Sequence, residues 1–437
     1  MAIDGITYSS FSGWIDPPGE VLPAFEGELA CDVAVVGGGY AGMAAALRLA
    51  ERGADVALFE AGFCGVGASS RNAGHLSGAP PGDPRLLGAL QPHRLRGIVQ
   101  FSQEAVRFTE ELLQRLAIDS DYEPTGNVEA AVSRGQIQKV RRTAQILHKA
   151  GSEAEFGSGR DLGLPGTFLA GLFEPLGGLL NPGKFALGLR EALLESGARV
   201  FERTPVRTVE PTSAGVVVNV PGGHVRAERV VLATNAYSRE LAVAPKRLAN
   251  PVWVRMVETD PIDSARLEAT GWRSRSGIVT KHNIMESYRL TPRGTIVFGV
   301  RRLSAGRGAL ESRTPDPAAV ADLARGFRTR FPSLRDVALD RTWGGWIAMT
   351  SPWLPVAGEA TKNVSYLIGC NGHGLAQAPY LGTLLADRLA GDELHDDLGT
   401  VWRVQPRFAP SLFCSPLTLR TMWAIDRLSD RLHSSKR

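Results

Sequence analysis

Residues 32–42 read DVAVVGGGYAG, and this stretch decides the fold. Its first half is short, apolar and β-branched, a pattern that predicts a buried parallel strand. The glycines that follow, Gly37, Gly39 and Gly42, have the spacing G-x-G-x-x-G. In a dinucleotide-binding turn the first glycine permits the sharp turn and the second lets the backbone approach a pyrophosphate. The third lets the next helix pack closely against the strand.

The residues after the glycines complete a strand–helix–strand unit. A helical stretch at 43–52 is closed by Gly53, and a second apolar strand follows at 56–59. The start of that helix offers free N–H groups and a partial positive charge to phosphates. Glu60 ends the second strand, where its carboxylate can accept hydrogen bonds from ribose hydroxyls. The sequence therefore predicts dinucleotide binding.

Only one such unit occurs in the sequence. An enzyme that is reduced by NADH or NADPH normally carries a second glycine-rich strand–helix unit, and none follows residue 85. This absence disfavours a pyridine-nucleotide-dependent monooxygenase. The spacing alone leaves two cofactors open, NAD or FAD.

Length and composition limit the class of protein. A chain of 437 residues is long enough for about two or three domains. The net charge of +4 is small for this length and does not indicate nucleic-acid binding. The four cysteines are scattered along the chain, which fits a reducing compartment. Their spacing is not that of a zinc site, so we predict no metal. The sequence shows neither a signal peptide nor an apolar run long enough to span a membrane, so we expect a cytoplasmic protein.

Strand and helix signals alternate in three separated parts of the chain, with mixed patterns between them. We predict an α/β fold with a discontinuous Rossmann-type nucleotide-binding domain. An α+β substrate domain built on a mainly antiparallel sheet is expected to be inserted into it. The predicted nucleotide-binding segments are 1–90, 165–245 and 345–437, and the predicted substrate-domain segments are 91–164 and 246–344.

A second motif at 65–75 reads GVGASSRNAGH. With the glycine turn, it resembles the D-amino-acid-oxidase-like FAD oxidoreductases, which include glycine and sarcosine oxidases. It is most similar to the γ-glutamylputrescine-oxidase-like branch, whose motif reads G-x-G-A-S-x-R-N-G-G. Ala73 replaces one glycine of that motif here. Matching segments occur in the family's order at 180–185, 230–237, 343–358 and 369–374.

This resemblance implies FAD as the cofactor and a glutathione-reductase-2-like flavoprotein fold. Cys370 departs from the position of the covalent cysteine of sarcosine oxidases, which falls near Met349, so we expect non-covalent FAD. The residues expected to contact FAD are Gly37, Gly39, Tyr40, Ala41, Gly42, Glu60, Ala61, Ala68, Ser69, Ser70, Arg71, Asn72, Ala73, Gly74, His75, Val206, Ala233, Thr234, Asn235, Gly344, Gly358, Asn371, Gly372, His373, Gly374 and Leu375.

The sequence departs from the family at the substrate-binding residues. Glycine and D-amino-acid oxidases place a carboxylate-binding arginine shortly after the equivalent of Gly345, but this chain has Trp346 next. Arg289 offers another anchor for a distal anionic group, or it is an exposed strand arginine. If Arg289 faces the flavin, Tyr288 faces away from it, unless the strand register is shifted by one residue. Trp346 either lines an apolar pocket or lies in the core.

Two further family features bear on the chemistry. The oxygen-activating lysine of sarcosine-oxidase-type enzymes aligns with Val297, which leaves dioxygen or another electron acceptor open. His75 either fixes its tight loop or faces the flavin or substrate, and His373 is expected to fix its loop.

We expect an FAD-dependent amine oxidoreductase that converts a primary or secondary amine into an imine, with His75, Arg289, Tyr288 and Trp346 as candidate catalytic residues. The alternatives are a dehydrogenase of 2-hydroxy acids, in which His75 or His282 would be the base, and a flavin-binding protein without catalysis.

Overall fold

A computed structural model describes residues 2–3, 5–306, 310, 316–351, 353–403 and 410–434 of the chain. The strands are β1 (Ala2–Ile3), β2 (Ile6–Tyr8), β3 (Gly27–Val36), β4 (Val56–Phe59), β5 (His75–Ser77), β6 (Asn127–Ala131), β7 (Glu155–Ser158), β8 (Ala170–Glu174), β9 (Gly177–Leu179), β10 (Arg199–Phe201), β11 (Thr208–Thr212), β12 (Gly215–Val220), β13 (Gly223–Leu232), β14 (Ala249–Thr259), β15 (Gly277–Thr280), β16 (Glu286–Leu290), β17 (Ile296–Val300), β18 (Ser304–Ala305), β19 (Leu339–Thr350), β20 (Val356–Thr361) and β21 (Val364–Ile368).

The α-helices are α1 (Tyr40–Glu51), α2 (Pro84–Leu90), α3 (Pro92–Arg115), α4 (Arg134–Lys149), α5 (Pro182–Glu195), α6 (Ser264–Ala269), α7 (Pro317–Arg330), α8 (Gly374–Leu389), α9 (Asp396–Val401), α10 (Pro410–Phe413) and α11 (Pro416–Ser434). Short 3₁₀ turns occupy Ala68–Ser70, Asn235–Glu240 and Pro332–Leu334. No described helix is both long enough and apolar enough to cross a bilayer.

The first sheet is built around β3, whose last four residues, 33–36, are buried on both faces. Its strand order is β10-β4-β3-β13-β12-β11, and β21 also pairs with β13. Val33 and Val35 pack into one core with α1, α5 and α8, while Ala34 and Val36 pack into a second core on the opposite face. This explains why residues 33–36 form a continuous apolar run rather than an alternating one.

The C-terminal end of β3 is a topological switch point. The strands on either side of it, β4 and β13, both run parallel to β3. Crevices outside the carboxyl ends of the strands at such a point are where dinucleotides bind in open α/β sheets. The first sheet therefore places the turn from Gly37 to Gly42 at the expected binding position.

The second sheet is mainly antiparallel and has the order β1-β2-β19-β14-β17-β16-β15-β6-β8-β7. On β16, Glu286 and Tyr288 face the core beneath α7, where Tyr288 packs with Phe298 and Phe331. Ser287 and Arg289 face the opposite side, toward the first sheet's loops, because side chains alternate along a strand.

The predicted fold is confirmed: a Rossmann-type α/β sheet assembled from distant segments accompanies a mainly antiparallel sheet. The domain boundaries remain a prediction, since a sheet does not define where a domain ends. β8 lies within the predicted segment 165–245 yet belongs to the second sheet. Helix α8 begins at Gly374, and Pro379 lies inside the helix without ending it.

Candidate active site

The glycine turn leaves no space for side chains at two of its three positions. Gly37 has a φ of +107°, and a Cβ there would lie 2.8 Å from the carbonyl oxygen of Ala233. A Cβ on Gly42 would lie 1.8 Å from the carbonyl oxygen of Gly37. Helix α1 therefore approaches β3 and β13 as closely as the fingerprint requires.

Gly39 differs from these two glycines, because a side chain at this position would point toward a side chain of the neighbouring loop rather than into backbone atoms. The nearest atom to a Cβ there is Ser69 Oγ at 3.2 Å. The same hydroxyl accepts a hydrogen bond from the backbone N–H of Tyr40 at 3.0 Å. The Tyr40 ring is turned away and stacks on Phe185, and its hydroxyl donates to Pro182 O. Tyr40 can thus meet a cofactor through its backbone only.

Glu60 lies at the end of β4, beside the turn. Its carboxylate accepts hydrogen bonds from the N–H groups of Gly38 at 2.7 Å and Gly62 at 2.8 Å. Burial raises its pKa, and these two donors oppose the rise. The backbone N–H of Thr204 donates to Glu60 O, so the chain leading to Val206 runs along this edge.

The loop from Ala68 to Gly74 is held by its own polar side chains. Asn72 donates to Ser69 O at 2.7 Å and accepts from Gly74 N at 2.8 Å, and Ser70 donates to Gly65 O. Arg71 reaches the second sheet, where its Nη1 donates to Gly344 O at 2.9 Å. The loop is therefore fixed between the glycine turn and β19.

Distant segments of the family motif meet near the start of α8. Asn235 accepts a hydrogen bond from Gly369 N at 3.1 Å. Asn371 accepts from Thr350 N at 2.8 Å, which ties β19 to the same corner. His373 Nδ1 lies 3.2 Å from Asn371 O, and burial lowers the pKa of His373. This contact supports the loop-fixing interpretation of His373.

The remaining expected cofactor residues are spread over several elements. Ala61 follows β4, Ala233 follows β13, and Ala41 lies in the first turn of α1. Gly372 precedes α8, which begins with Gly374 and Leu375. Thr234 shares a hydrogen bond with Ser238. Gly358 lies on β20, where a Cβ would meet the hydroxyl of Tyr366 at 2.8 Å.

Arg289 is fully buried on the site-facing side of β16. Its guanidinium donates to Leu180 O at 2.5 Å and to Gly74 O at 3.3 Å. Nη2 has no hydrogen-bond partner, and no carboxylate pairs with Arg289 within the described ranges. Burial lowers the pKa of Arg289 to about 10, which leaves it charged at neutral pH. The alternative of an exposed strand arginine is excluded.

The N-terminal arm completes the surroundings of Arg289, which the sequence analysis missed. The guanidinium stacks over the ring of Trp14 at 4.7 Å. Trp14 Nε1 donates to Asn72 O at 2.8 Å, and Ser12 donates to Ser70 O at 2.6 Å. The only sequence signal was the presence of large aromatic residues, Phe11 and Trp14, in a turn-rich segment.

Trp14 belongs to an apolar cluster beside the loop. The cluster contains Trp14, Met256, Val297 and Trp343, with Ile15 and Ala73 packed against it. Val297 is the register partner of Arg289 on the neighbouring strand. The position that carries a lysine in sarcosine-oxidase-type enzymes is thus apolar and buried here.

His75 lies next to Arg289. Its ring lies over Gly277 of β15. Gly277 is opposite Arg289 of β16, one position beyond the pair formed by Ile278 and Tyr288. Nδ1 lies 3.0 Å from Asn127 Oδ1, and Asn127 Nδ2 donates to Leu76 O at 2.7 Å. This chain of donors assigns the proton to Nδ1 and leaves Nε2 as a buried acceptor without a partner. Burial first, and the Arg289 charge second, lower the pKa of His75 to about 3.

Three candidates lie away from this group of side chains. Tyr288 faces the core beneath α7. Trp346 packs edge-on against Trp253 at 5.1 Å, in a core shared with the first sheet, so its core alternative is supported. His282 contacts Thr280 and Asp430 in an ionic network near α11.

These observations fit FAD. The glycine turn and the start of α1 suit a pyrophosphate, and Glu60 lies where a ribose would meet a carboxylate. His75 Nε2, Ser287 Oγ and Arg289 Nη2 are buried atoms without partners on one side of the loop. Buried polar atoms are normally satisfied, so this group points to a polar ligand beside the cofactor.

Two known proteins are similar to this chain in sequence. γ-Glutamylputrescine oxidoreductase of Escherichia coli (strain K12) is 28% identical over 373 residues, covering 83% of this chain and 84% of that protein. Glycine oxidase of Geobacillus kaustophilus (strain HTA426) is 28% identical over 386 residues, covering 84% of this chain and 95% of that protein.

The crystal structure of glycine oxidase from Geobacillus kaustophilus has a TM-score of 0.72 at 21% identity, covering 86% of this chain and all of that chain. This likeness concerns the fold. The model of the DAO family, described as FAD dependent oxidoreductase, matches residues 32–388. The chain therefore belongs to the DAO family of FAD-dependent oxidoreductases.

Proposed function

We propose that this enzyme oxidises the carbon–nitrogen bond of a primary or secondary amine that also carries an anionic group. The observation that carries the proposal is Arg289, a buried cation without a carboxylate partner among the described residues. Burying a charge is unfavourable unless a partner compensates it. A substrate carboxylate or phosphonate would supply that partner.

The neighbouring polar atoms suit an amine. Ser287 Oγ and His75 Nε2 are buried without partners on the side of the sheet that Arg289 faces. Because Nδ1 of His75 is held by Asn127, Nε2 can only accept a hydrogen bond, and an amine N–H can donate one. His75 would thereby orient the amine nitrogen.

The same histidine argues against the 2-hydroxy-acid alternative. Alcohol oxidation needs a base for the hydroxyl proton, and a good general base has a pKa near the working pH. Burial and Arg289 hold the pKa of His75 at about 3, so it is a weak base. His282, the other candidate, lies near α11.

The proposed reaction balances as follows. The substrate Cα–H bond breaks and its electron pair leaves as a hydride, while the amine nitrogen loses a proton and a C=N bond forms. Water then adds to the imine carbon, the C–N bond breaks, and a carbonyl compound and an amine or ammonia are released. Bound FAD would supply the hydride acceptor, and dioxygen would take the two electrons with two protons to become hydrogen peroxide.

The protein's contribution is binding and exclusion of water. The apolar cluster of Trp14, Met256, Val297 and Trp343 lines one side of the site and excludes water from it. A low local dielectric strengthens the attraction between Arg289 and an anion. The names of two relatives, for γ-glutamylputrescine and for glycine, support an amine that bears a carboxylate.

An anaerobic flavin-bleaching screen tests the proposal. The panel should contain γ-glutamyl amines, amino acids, uncharged amines of similar size and 2-hydroxy acids. We expect bleaching by a carboxylated amine, followed by hydrogen peroxide formation on admission of air. Bleaching by a 2-hydroxy acid alone would contradict the proposal, and reduced flavin that persists in air would contradict dioxygen as the acceptor.

A further inference from the structure

The side of the second sheet that carries Arg289 continues by one more row of side chains. Register pairing places Val279 of β15 between Ser287 of β16 and Glu129 of β6. Register partners on neighbouring strands face the same side, and so do alternate residues of one strand, so this row lies on the side of Arg289. Val279 and Glu129 are half-buried, which leaves the sheet open above the row.

Three buried polar atoms without partners lie on this side of the sheet. Ser287 is 2% exposed, and its Oγ has no hydrogen-bond partner. Glu129 Oε2 and His75 Nε2 also have none. A carboxylate oxygen and an unprotonated ring nitrogen only accept hydrogen bonds, and a hydroxyl can accept one as well. The three atoms therefore match a ligand that has several N–H donors.

The charges at Glu129 leave a neighbouring carboxylate uncompensated. Glu129 pairs through Oε1 with Lys281 at 2.8 Å. Glu174 lies diagonally across from Glu129 on β8 and accepts a hydrogen bond from Ser77 at 3.0 Å. No cation pairs with Glu174 within the part of the chain that the structure describes. Burial, and after it the charge of Glu129, raise the pKa of Glu174 to about 7, against the hydrogen bond from Ser77.

The nearest other charges cancel each other. Asp83 lies near Lys281, and Arg85 lies near Glu129, but Asp83 and Arg85 pair with each other at 2.6 Å. An ionised Glu174 is therefore an excess negative charge. Arg289, one row away, is an excess positive charge. The site thus has a cationic end and an anionic end.

We propose that the row of Ser287 and Glu129 binds an organic ammonium group of the substrate, in addition to the anionic group and the nitrogen that is oxidised. The inference rests on the proposed function, in which Arg289 binds the anion and His75 orients that nitrogen. Ser287 Oγ and Glu129 Oε2 would accept N–H donors of the ammonium, and Glu174 would balance its charge.

The spacing of the two ends favours an elongated substrate. The Cα atoms of Arg289 and Glu129 are two strands and two residues apart, which corresponds to about 12 Å. An α-amino acid carries its ammonium and its carboxylate on one carbon, so it cannot extend between the two ends. An amine with a carboxylate at one end and an ammonium at the other can do so.

Two thioethers that differ in one group test the proposal, because a sulfur in place of the nitrogen prevents oxidation. Isothermal titration calorimetry with the FAD-loaded full chain should show (4-aminobutylthio)acetate binding about tenfold more tightly than (pentylthio)acetate, which has the same length but no ammonium. Glu129→Gln keeps the shape of the side chain without its charge and should abolish this preference. Glu155→Gln, at an exposed glutamate on β7, is the matched control and should retain it.

Lys281→Met should have the opposite effect. The substitution removes the cation that pairs with Glu129, so the preference for the ammonium ligand should increase by about threefold or more. A substitution that only damaged the site would weaken the binding of both ligands. The flavin spectrum and the thermal midpoint of each variant show whether it is folded.

Proton release on binding is a separate measure of Glu174. With a pKa of about 7, Glu174 holds a proton in about half of the molecules at pH 7. A bound ammonium lowers the pKa of a nearby carboxyl group. Calorimetry at pH 7 in buffers of different ionisation enthalpy should therefore show release of up to about half a proton with the ammonium ligand. Glu174→Gln should abolish this release.

Equal affinities for the two thioethers, binding of neither, or a preference that survives Glu129→Gln would overturn the inference. None of these results bears on the proposed oxidation, because a thioether cannot form an imine. The oxidation is tested by flavin bleaching alone, so the two proposals can fail independently.

Discussion

The guanidinium carbon of Arg289 lies 4.7 Å from the centre of the Trp14 ring. This contact joins the N-terminal arm to the middle of the second sheet. The contact places a cation against an aromatic face in a buried site, where such an interaction is worth about 2 kcal/mol. It also orients Nη2 without satisfying it. The arm therefore positions the group that we expect to bind the substrate anion.

Arg289→Met should weaken binding of a carboxylated amine selectively. Loss of one charged hydrogen-bond partner in a buried site costs about 2–4 kcal/mol, or about 30-fold to 1,000-fold. The half-saturation concentration for anaerobic flavin reduction should rise by that factor for the carboxylated amine and stay nearly constant for an uncharged one. Arg275→Met removes an exposed arginine of the same domain and should change neither value. Equal losses with both substrates would instead make Arg289 structural.

Trp14→Leu should weaken FAD binding and substrate binding together. The substitution keeps an apolar side chain but removes both the ring beneath Arg289 and the hydrogen bond to Asn72 O. We expect about a tenfold rise in the FAD dissociation constant, measured by flavin fluorescence. Trp14→Phe keeps a ring and loses only the N–H donor, so it should lie between wild type and Trp14→Leu. Unchanged FAD affinity in both variants would show that the arm does not support the loop.

Gly39→Val should abolish FAD binding while leaving the fold intact. A Cβ at Gly39 meets only Ser69 Oγ, so the side chain can be accommodated when no cofactor is bound. The valine would then fill the space that a pyrophosphate requires. The purified variant should be colourless, with a circular dichroism spectrum like that of wild type. Gly97→Val, at a glycine of α3 with open space around it, should remain yellow. Full FAD occupancy in Gly39→Val would refute the assignment of the turn.

The stability of the protein should fall in acid partly because of His75. Its folded pKa is about 3, whereas an unperturbed histidine has a pKa near 6.5. Between these values the unfolded chain binds a proton that the folded chain does not, so stability is lost as the pH falls from about 6.5 toward 3. His75→Gln cannot titrate and should reduce the loss between pH 7.5 and pH 5.5 by about 1 kcal/mol, or about 1–2 °C in the thermal midpoint.

His148→Gln, at an exposed position on α4, is the control and should leave that pH dependence unchanged. The same reasoning applies to catalysis. Because His75 stays neutral above about pH 4, it should contribute no limb to the pH profile of kcat/KM at neutral pH. An acid limb that disappears in His75→Gln would show that the histidine titrates during turnover.

FAD should be released by acid precipitation of the protein, and NADH or NADPH should not bleach it. The first result follows from non-covalent binding, and the second from the presence of only one glycine-rich unit in the sequence. The absorbance of the supernatant measures the released FAD, and an anaerobic titration with each nucleotide measures flavin reduction. Flavin retained in the pellet would reveal a covalent bond, and stoichiometric reduction by either nucleotide would favour a monooxygenase.

The glycine turn and its flanking strands could be predicted because the residues that form them lie close together in the sequence. Gly37, Gly42 and Glu60 lie within one strand–helix–strand unit, so their spacing was enough. The sequence left the orientation of Arg289 open, because alternation along β16 requires only that Arg289 and Tyr288 face opposite sides. The packing of Tyr288 in the core shows which side Arg289 faces.

The contacts that complete the site join residues far apart in the sequence. Trp14 reaches Asn72 and Arg289, and Asn127 fixes the tautomer of His75. Neither residue has a periodic pattern or a motif around it, so only the folded chain reveals its role. For Trp346 the sequence left a pocket wall and a core position open, and its packing against Trp253 supports the core position.

The pairing of β21 with β13 has a consequence for how the protein is made. β3 and β4 leave the ribosome early, but the sheet that holds FAD lacks β21 until residue 368 has been synthesised. Every strand of the second sheet except β1 and β2 is translated in that interval. The nascent chain must therefore keep an incomplete, apolar sheet edge from aggregating while most of the protein is still being added. We therefore expect flavin capture to follow the synthesis of β21, although the glycine turn is made early.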